Sequence, residues 1–127
     1  VGQVAGDGNC FYRSVGLALS IPHTLVRKQC ADFLETSDLQ VNEAPISQWI
    51  LWETGHSPQK YASIMRKDRV WGGALEMVAV CAIYNVNIQI IRLEQTRTHI
   101  LCTFQLSNNP RMTVRLIYNG SHFNAFI

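Results

Sequence analysis

Cys10 closes the run Gly6-Asp7-Gly8-Asn9-Cys10, in which two glycines flank an acid and a polar residue precedes a thiol. A cysteine attacks a carbonyl carbon only once its proton is removed, so its surroundings decide between nucleophile and packing. From here Phe11, Ser14, Val15 and Ala18 recur at i, i+3, i+4 and i+7, the spacing of one helix face. Cys10 is therefore expected at or beside a helix N-terminus, with Asn9 or Asp7 as candidate caps. Unpaired N–H groups and the positive end of the helix dipole stabilise an anion there. Gly6 and Gly8 let the backbone bend sharply and aim amides at a reacting oxygen. Taken alone, the turn fits a small buried cysteine at a helix start equally well.

A second reactive pattern ends the chain, in Tyr118-Asn119-Gly120-Ser121-His122-Phe123-Asn124-Ala125-Phe126-Ile127. Asn-Gly between two alternating runs predicts a hairpin with a two-residue turn, both residues at positive φ. That turn pairs Tyr118 with Ser121, Leu116 with Phe123 and Val114 with Ala125, on a core face shared with Ile127. Side chains two apart on a strand point the same way, so His122 and Asn124 share the opposite face. An imidazole beside an amide oxygen is held in one tautomer and orientation, as in a Cys-His-Asn arrangement. His23, His56 and His99 have no Asn or Asp two residues on and are expected at the surface.

Three blocks, Asp7-Gly8-Asn9-Cys10-Phe11-Tyr12-Arg13-Ser14, Trp71-Gly72-Gly73 with Glu76, and His122-Phe123-Asn124, together resemble the OTU (ovarian tumour) family of deubiquitinating cysteine proteases. They stand in the family's order and bracket nearly the whole chain. The resemblance implies a papain-like fold and a thiol mechanism with Cys10 as nucleophile, His122 as base and Asn124 orienting His122. Asp7 is implied to shape the oxyanion hole, with backbone amides of Gly8 and Asn9 as donors. The implied substrate is the isopeptide bond between the ubiquitin C-terminus and a lysine. The implied partner is ubiquitin, polyubiquitin or a ubiquitin-like modifier. No cofactor or metal is implied, and the expected compartment is the cytosol, the host's if the source is a pathogen. Phe123 departs from the Tyr of many members. The short chain leaves little room for the insertions that often set linkage preference. Trp71 either lines the cleft or plugs the following helix. Two other readings remain: an idle ubiquitin-binding module, disfavoured by the intact Cys10, His122 and Asn124, and a general papain-like peptidase.

The elements that must position these residues follow from composition and period. At 127 residues, 47% hydrophobic and 16% charged, the chain is expected to form one domain over residues 1–127, a monomer with its own core. A formal charge of +2 is too small to argue for nucleic acid or a membrane surface. No apolar run is long enough to span a bilayer. Val1 is not a native start, so the domain is expected to be cut from something longer. Cys10, Cys30, Cys81 and Cys102 form no C-x-x-C pair and have no histidine at ligand spacing, which disfavours zinc, and a disulfide framework is not expected. Val26, Cys30, Phe33 and Leu34 mark a helix from near Thr24 to Thr36, followed by a polar loop from Ser37 to Pro45. Helices are then expected over Ile46 to Glu53, ended by Gly55, and from Pro58 to about Lys67 behind a Ser57 cap. The cluster Arg66, Lys67 and Arg69 reads as a solvated face. Ala74 to Tyr84 is apolar nearly all round, a central buried helix. From Asn85 the period becomes two, with Val86, Ile88 and Ile90, then Ile100, Cys102 and Phe104, then the closing hairpin. Helices first and strands last predict an α+β domain, with helices packed around one mainly antiparallel sheet.

Overall fold

A computed structural model describes residues 5–126. The first helix, α1 (Cys10–Leu19), begins at the thiol and buries Phe11, Tyr12, Ser14 and Val15. α2 (His23–Thr36) starts one residue before the expected Thr24 and buries Val26, Cys30 and Leu34 as its spacing predicted. The polar stretch that follows is not all loop. It holds a short antiparallel pair, β1 (Gln40–Val41) and β2 (Ala44–Pro45). Its turn places Asn42 and Glu43 at φ 49° and 71°, the left-handed geometry of a tight hairpin. Strands of two residues carry no legible alternation, so the pattern was silent there.

α3 (Ile46–Thr54) ends at Gly55, whose φ of 75° makes the left-handed exit that glycine permits. α4 (Pro58–Met65) starts with proline in its first turn, and the Ser57 hydroxyl accepts from the Lys60 N–H at 3.2 Å. α5 (Ala74–Tyr84) is the central helix, with Leu75, Met77, Ala79, Val80 and Cys81 buried. Its N-terminus is tied by a carboxylate: Glu76 accepts from the Gly73 N–H at 2.7 Å and from the Tyr61 hydroxyl at 2.5 Å. Burial pushes the Glu76 carboxyl up, and these two donors act against that shift.

The sheet contains β3 (Val86–Glu94), β4 (Arg97–Phe104), β5 (Met112–Tyr118) and β6 (Phe123–Ala125), in spatial order β4-β3-β5-β6. Two of its three pairings are antiparallel, but β3 and β5 run parallel. The chain reaches β5 by crossing the start of β3, where the Arg111 N–H bonds the Asn85 carbonyl at 2.7 Å. One face of the sheet buries Val86, Ile88, Ile90, Val114 and Leu116 against the helices. Each such side chain stabilises the fold by roughly 1.5–3 kcal/mol. The edge strand β4 is exposed on both faces apart from partial cover at His99 and Phe104. Cys102 is therefore exposed, unlike the buried Cys10, Cys30 and Cys81.

The closing hairpin has the expected faces but a different register. Leu116 pairs with Ala125, Ile117 with Asn124 and Tyr118 with Phe123. The connection is thus four residues, Asn119 to His122, and only Gly120 in it has positive φ, at 101°. The cause is the Asn119 side chain, whose Oδ1 accepts from the Ser121 N–H at 3.1 Å and the His122 N–H at 2.9 Å. An Asx turn has displaced the tight turn. The shift is two residues, so every side chain keeps its face. Phe123 and Ala125 remain buried, and Ile127 lies outside the described residues.

Candidate active site

The turn before α1 is held from within by an acid. The Asp7 carboxylate accepts from the Asn9 N–H at 3.1 Å and from the Arg13 guanidinium at 2.8 and 3.3 Å. The Arg13 hydrogen bond holds the Asp7 carboxyl well below the usual carboxylate range. Asn9 occupies the N-cap position, yet its side chain makes no cap hydrogen bond. Its Nδ2 instead donates to Asp68 Oδ1 at 2.8 Å, and its Oδ1 accepts from the Arg69 N–H at 3.1 Å. The first helical bond is from the Arg13 N–H to the Asn9 carbonyl. The amides of Cys10, Phe11 and Tyr12 therefore precede the helical ladder, at the positive end of α1. The Asn9 N–H, one of the expected oxyanion donors, is engaged by the Asp7 carboxylate.

Gly8 is required twice over. Its φ is +87°, and a Cβ there would lie 2.2 Å from the Arg69 carbonyl oxygen, a backbone atom that cannot swing aside. Gly8→Ala is expected to displace either the turn or the 66–70 loop. The left-handed conformation alone costs a non-glycine residue about 1–2 kcal/mol. A melting temperature several degrees lower, with turnover falling further than stability alone explains, is the expected outcome. Thermal melts and steady-state kinetics on the same preparation check it.

The second arm comes from the sheet. His122 Nε2 lies 3.1 Å from Asn124 Oδ1, so the amide oxygen faces one ring nitrogen. The other nitrogen, Nδ1, faces the start of the turn before α1, 3.7 Å from where a Cβ on Gly6 would stand. Beneath them Phe11, next to Cys10, and Phe123, next to His122, meet edge to face with ring centroids 5.9 Å apart. Tyr118 stacks on Phe123 at 4.6 Å and steadies the strand end that carries the imidazole. The two ends of the sequence thus meet through α1 and β6, whose residues are in contact. Among the described residues no hydrogen bond joins the Cys10 sulfur to the imidazole. Catalytic bonds of this kind are often long before substrate binds.

The middle block has a packing explanation. A Cβ on Gly72 would stand 2.8 Å from the Phe11 ring and 3.2 Å from the Tyr12 hydroxyl, so only glycine lets this loop lie flat on α1. Trp71 is 60% exposed and does not plug α5. Sequence reasoning missed Arg27, a guanidinium buried in α2 against the turn before α1. A charge at i−3 from Cys30 and i−7 from Leu34 lies on the helix's apolar face, and that was its signal. The cluster near residue 67 is also more than a solvated face. Arg66 pairs with Asp32 and Glu35, while Asp68 and Arg69 bind Asn9. His23, expected at the surface, is half-buried at the start of α2, and burial lowers its tendency to protonate.

Comparison with known proteins places these features in context. Residues 5–124 match the family model described as OTU-like cysteine protease. The ovarian tumor domain-containing deubiquitinating enzyme 6 of Arabidopsis thaliana is 27% identical over 125 residues, 95% of this chain and 23% of the relative. Deubiquitinase OTUD6B of Xenopus laevis is 27% identical over 138 residues, 97% of this chain and 44% of the relative. The chain thus spans less than half the length of either curated relative. Among solved structures, the Hazara virus OTU bound to ubiquitin superposes with a TM-score of 0.73 at 25% identity, covering 98% of this chain and 77% of that one.

Proposed function

The chain belongs to the family of OTU-like cysteine proteases, and we propose that it is a deubiquitinase that hydrolyses the isopeptide bond between the ubiquitin C-terminus and a lysine. The observation that carries the reading is the contact of α1, which opens on Cys10, with β6, which carries Asn124 and follows directly on His122. Ubiquitin as partner is supported by the Hazara virus OTU, a similar structure with ubiquitin bound, and by two relatives named as deubiquitinating enzymes.

In the proposed reaction His122 Nδ1 takes the thiol proton and the Cys10 sulfur attacks the isopeptide carbonyl carbon. The carbonyl π electrons move onto oxygen, and the Gly8 and Cys10 amides stabilise that oxyanion. Asn124 accepts from Nε2–H, fixing the tautomer that leaves Nδ1 basic. The tetrahedral species collapses, the C–N bond breaks, and His122 passes its proton to the departing lysine amine. Water, deprotonated by His122, then attacks the thioester. The C–S bond breaks, the ubiquitin carboxylate leaves and the thiol is regenerated. Asp7 acts on none of these atoms directly; its bonds to Asn9 and Arg13 hold the turn in shape.

The competing reading, a peptidase without ubiquitin preference, differs in where the binding energy arises. A deubiquitinase draws on the folded surface of ubiquitin as well as its tail. Cleavage of a fluorogenic amide on full-length ubiquitin is therefore expected to exceed cleavage of the same amide on the last few tail residues by at least about a hundredfold in kcat/KM. Equal rates on the two substrates would favour the general peptidase.

A further inference from the structure

We propose that Arg27 is a positioning residue of the nucleophile turn: it clamps the Asn9 side chain to both ends of the 66–70 loop and so fixes the Gly8 and Cys10 amides on either side of Asn9. The proposal rests on reading Cys10 as the nucleophile. Arg27 is 6% exposed, and its guanidinium lies 4.2 Å above the Tyr12 ring. It donates to the Met65 carbonyl at 2.9 Å, the Val70 carbonyl at 2.9 Å and Asn9 Oδ1 at 2.5 Å. These acceptors are neutral and come from the two ends of the 66–70 loop and from the residue before the thiol. Burying a cation is costly unless hydrogen bonds replace its lost hydration. A leucine in this place would fill a core, but it would join none of these three segments.

The joined segments are shaped for one purpose. Asparagine at an N-cap ordinarily accepts from the second or third helical N–H, worth about 1 kcal/mol to a helix. Here that bond is forgone, because Asn9 Oδ1 is taken by Arg27 and the Arg69 N–H. Arg69 itself stands at φ +69°, a left-handed conformation that non-glycine residues adopt at a cost and that clusters at functional sites. In that conformation its carbonyl presses on Gly8 and its N–H reaches Asn9. Arg27 holds both flanks of this strained loop. Without it, the Asn9 side chain loses its tie to this loop, and the Gly8 and Cys10 amides on either side of Asn9 are no longer held in place.

Such a role acts in the transition state, so it should lower kcat with little effect on KM. Arg27→Lys keeps the charge but cannot reach three acceptors at once. It is expected to reduce kcat on a ubiquitin C-terminal amide about tenfold to a hundredfold, the scale of a small misplacement at the reacting centre, with KM within about threefold. Asn9→Ala, which breaks the same clamp while leaving the guanidinium its Met65 and Val70 acceptors, should show the same split and serves if Arg27→Lys fails to fold. The double variant should be no slower than the slower single variant, because both act through one clamp. Unchanged kcat in a folded variant, a loss carried by KM, or losses that multiply would each overturn the proposal. Wild-type turnover judges the reading of Cys10 separately. If the wild type cleaves no ubiquitin substrate, the clamp is still decided by amide hydrogen exchange. Arg27→Lys should then speed exchange across residues 66–70 at least about tenfold, and unchanged exchange would rule the clamp out.

Discussion

Cys10→Ala is expected to lower turnover of a ubiquitin C-terminal amide by at least about four orders of magnitude, at about 1.4 kcal/mol for each tenfold. Ubiquitin affinity should stay within about twofold of the parent. In the proposed reaction the sulfur supplies the bond-forming electron pair, which an alanine cannot. Alanine is small and favoured in helices, so it fits the buried first position of α1 with little cost to the fold. Recognition of a whole folded partner must lie mostly outside this one buried position. His122→Ala should show the same kinetic loss, since it removes the group proposed to move protons at both steps. Steady-state kinetics and titration calorimetry on the same variants measure the two quantities separately. A folded Cys10→Ala protein that loses binding along with activity would show that chemistry and recognition are not divided in this way.

Asn124 should behave differently from the other two. In the proposed reaction it forms and breaks no bond with substrate; its Oδ1 faces His122 Nε2 at 3.1 Å. Asn124→Ala is expected to slow turnover about tenfold to a thousandfold, about 1.4–4 kcal/mol of barrier. Asn124→Asp should recover much of that loss, because a carboxylate accepts the same bond and favours the imidazolium. Asn124 is half-buried on β6, opposite Ile117, so thermal melts must accompany the kinetics. An Asn124→Ala enzyme as active as the parent would mean that another residue orients His122.

The residues of the proposed chemistry were legible because each is set by a short local pattern. Cys10 follows from the helix spacing that starts at Phe11. Asn124 follows from period two beside His122. The buried α5 follows from a run apolar all round. What the chain concealed depends on partners distant in sequence or on side chains competing with backbone. Period two says that Val86 and Val114 lie on strands, but not that those strands run parallel. Asn119 reads as half of a tight turn until its side chain captures the His122 amide. Asn9 reads as a cap and as an oxyanion donor, yet its side chain is bound to Asp68 and Arg69 and its amide to Asp7. Arg27 has its acceptors at Asn9, Met65 and Val70, a set that no local window contains. Cys102 alternates like a core residue but lies exposed on the edge strand β4.

The most direct test of the central claim is the site of attack by ubiquitin carrying a thiol-reactive electrophile at its C-terminus. Such a probe requires recognition of ubiquitin, delivery of its tail to the nucleophile and a reactive thiol at that place. One adduct per chain, mapped by peptide mass spectrometry to Cys10, is the predicted result, with no adduct on His122→Ala. An adduct of the ubiquitin probe on Cys30, Cys81 or Cys102, or none with folded wild-type protein, would contradict the account.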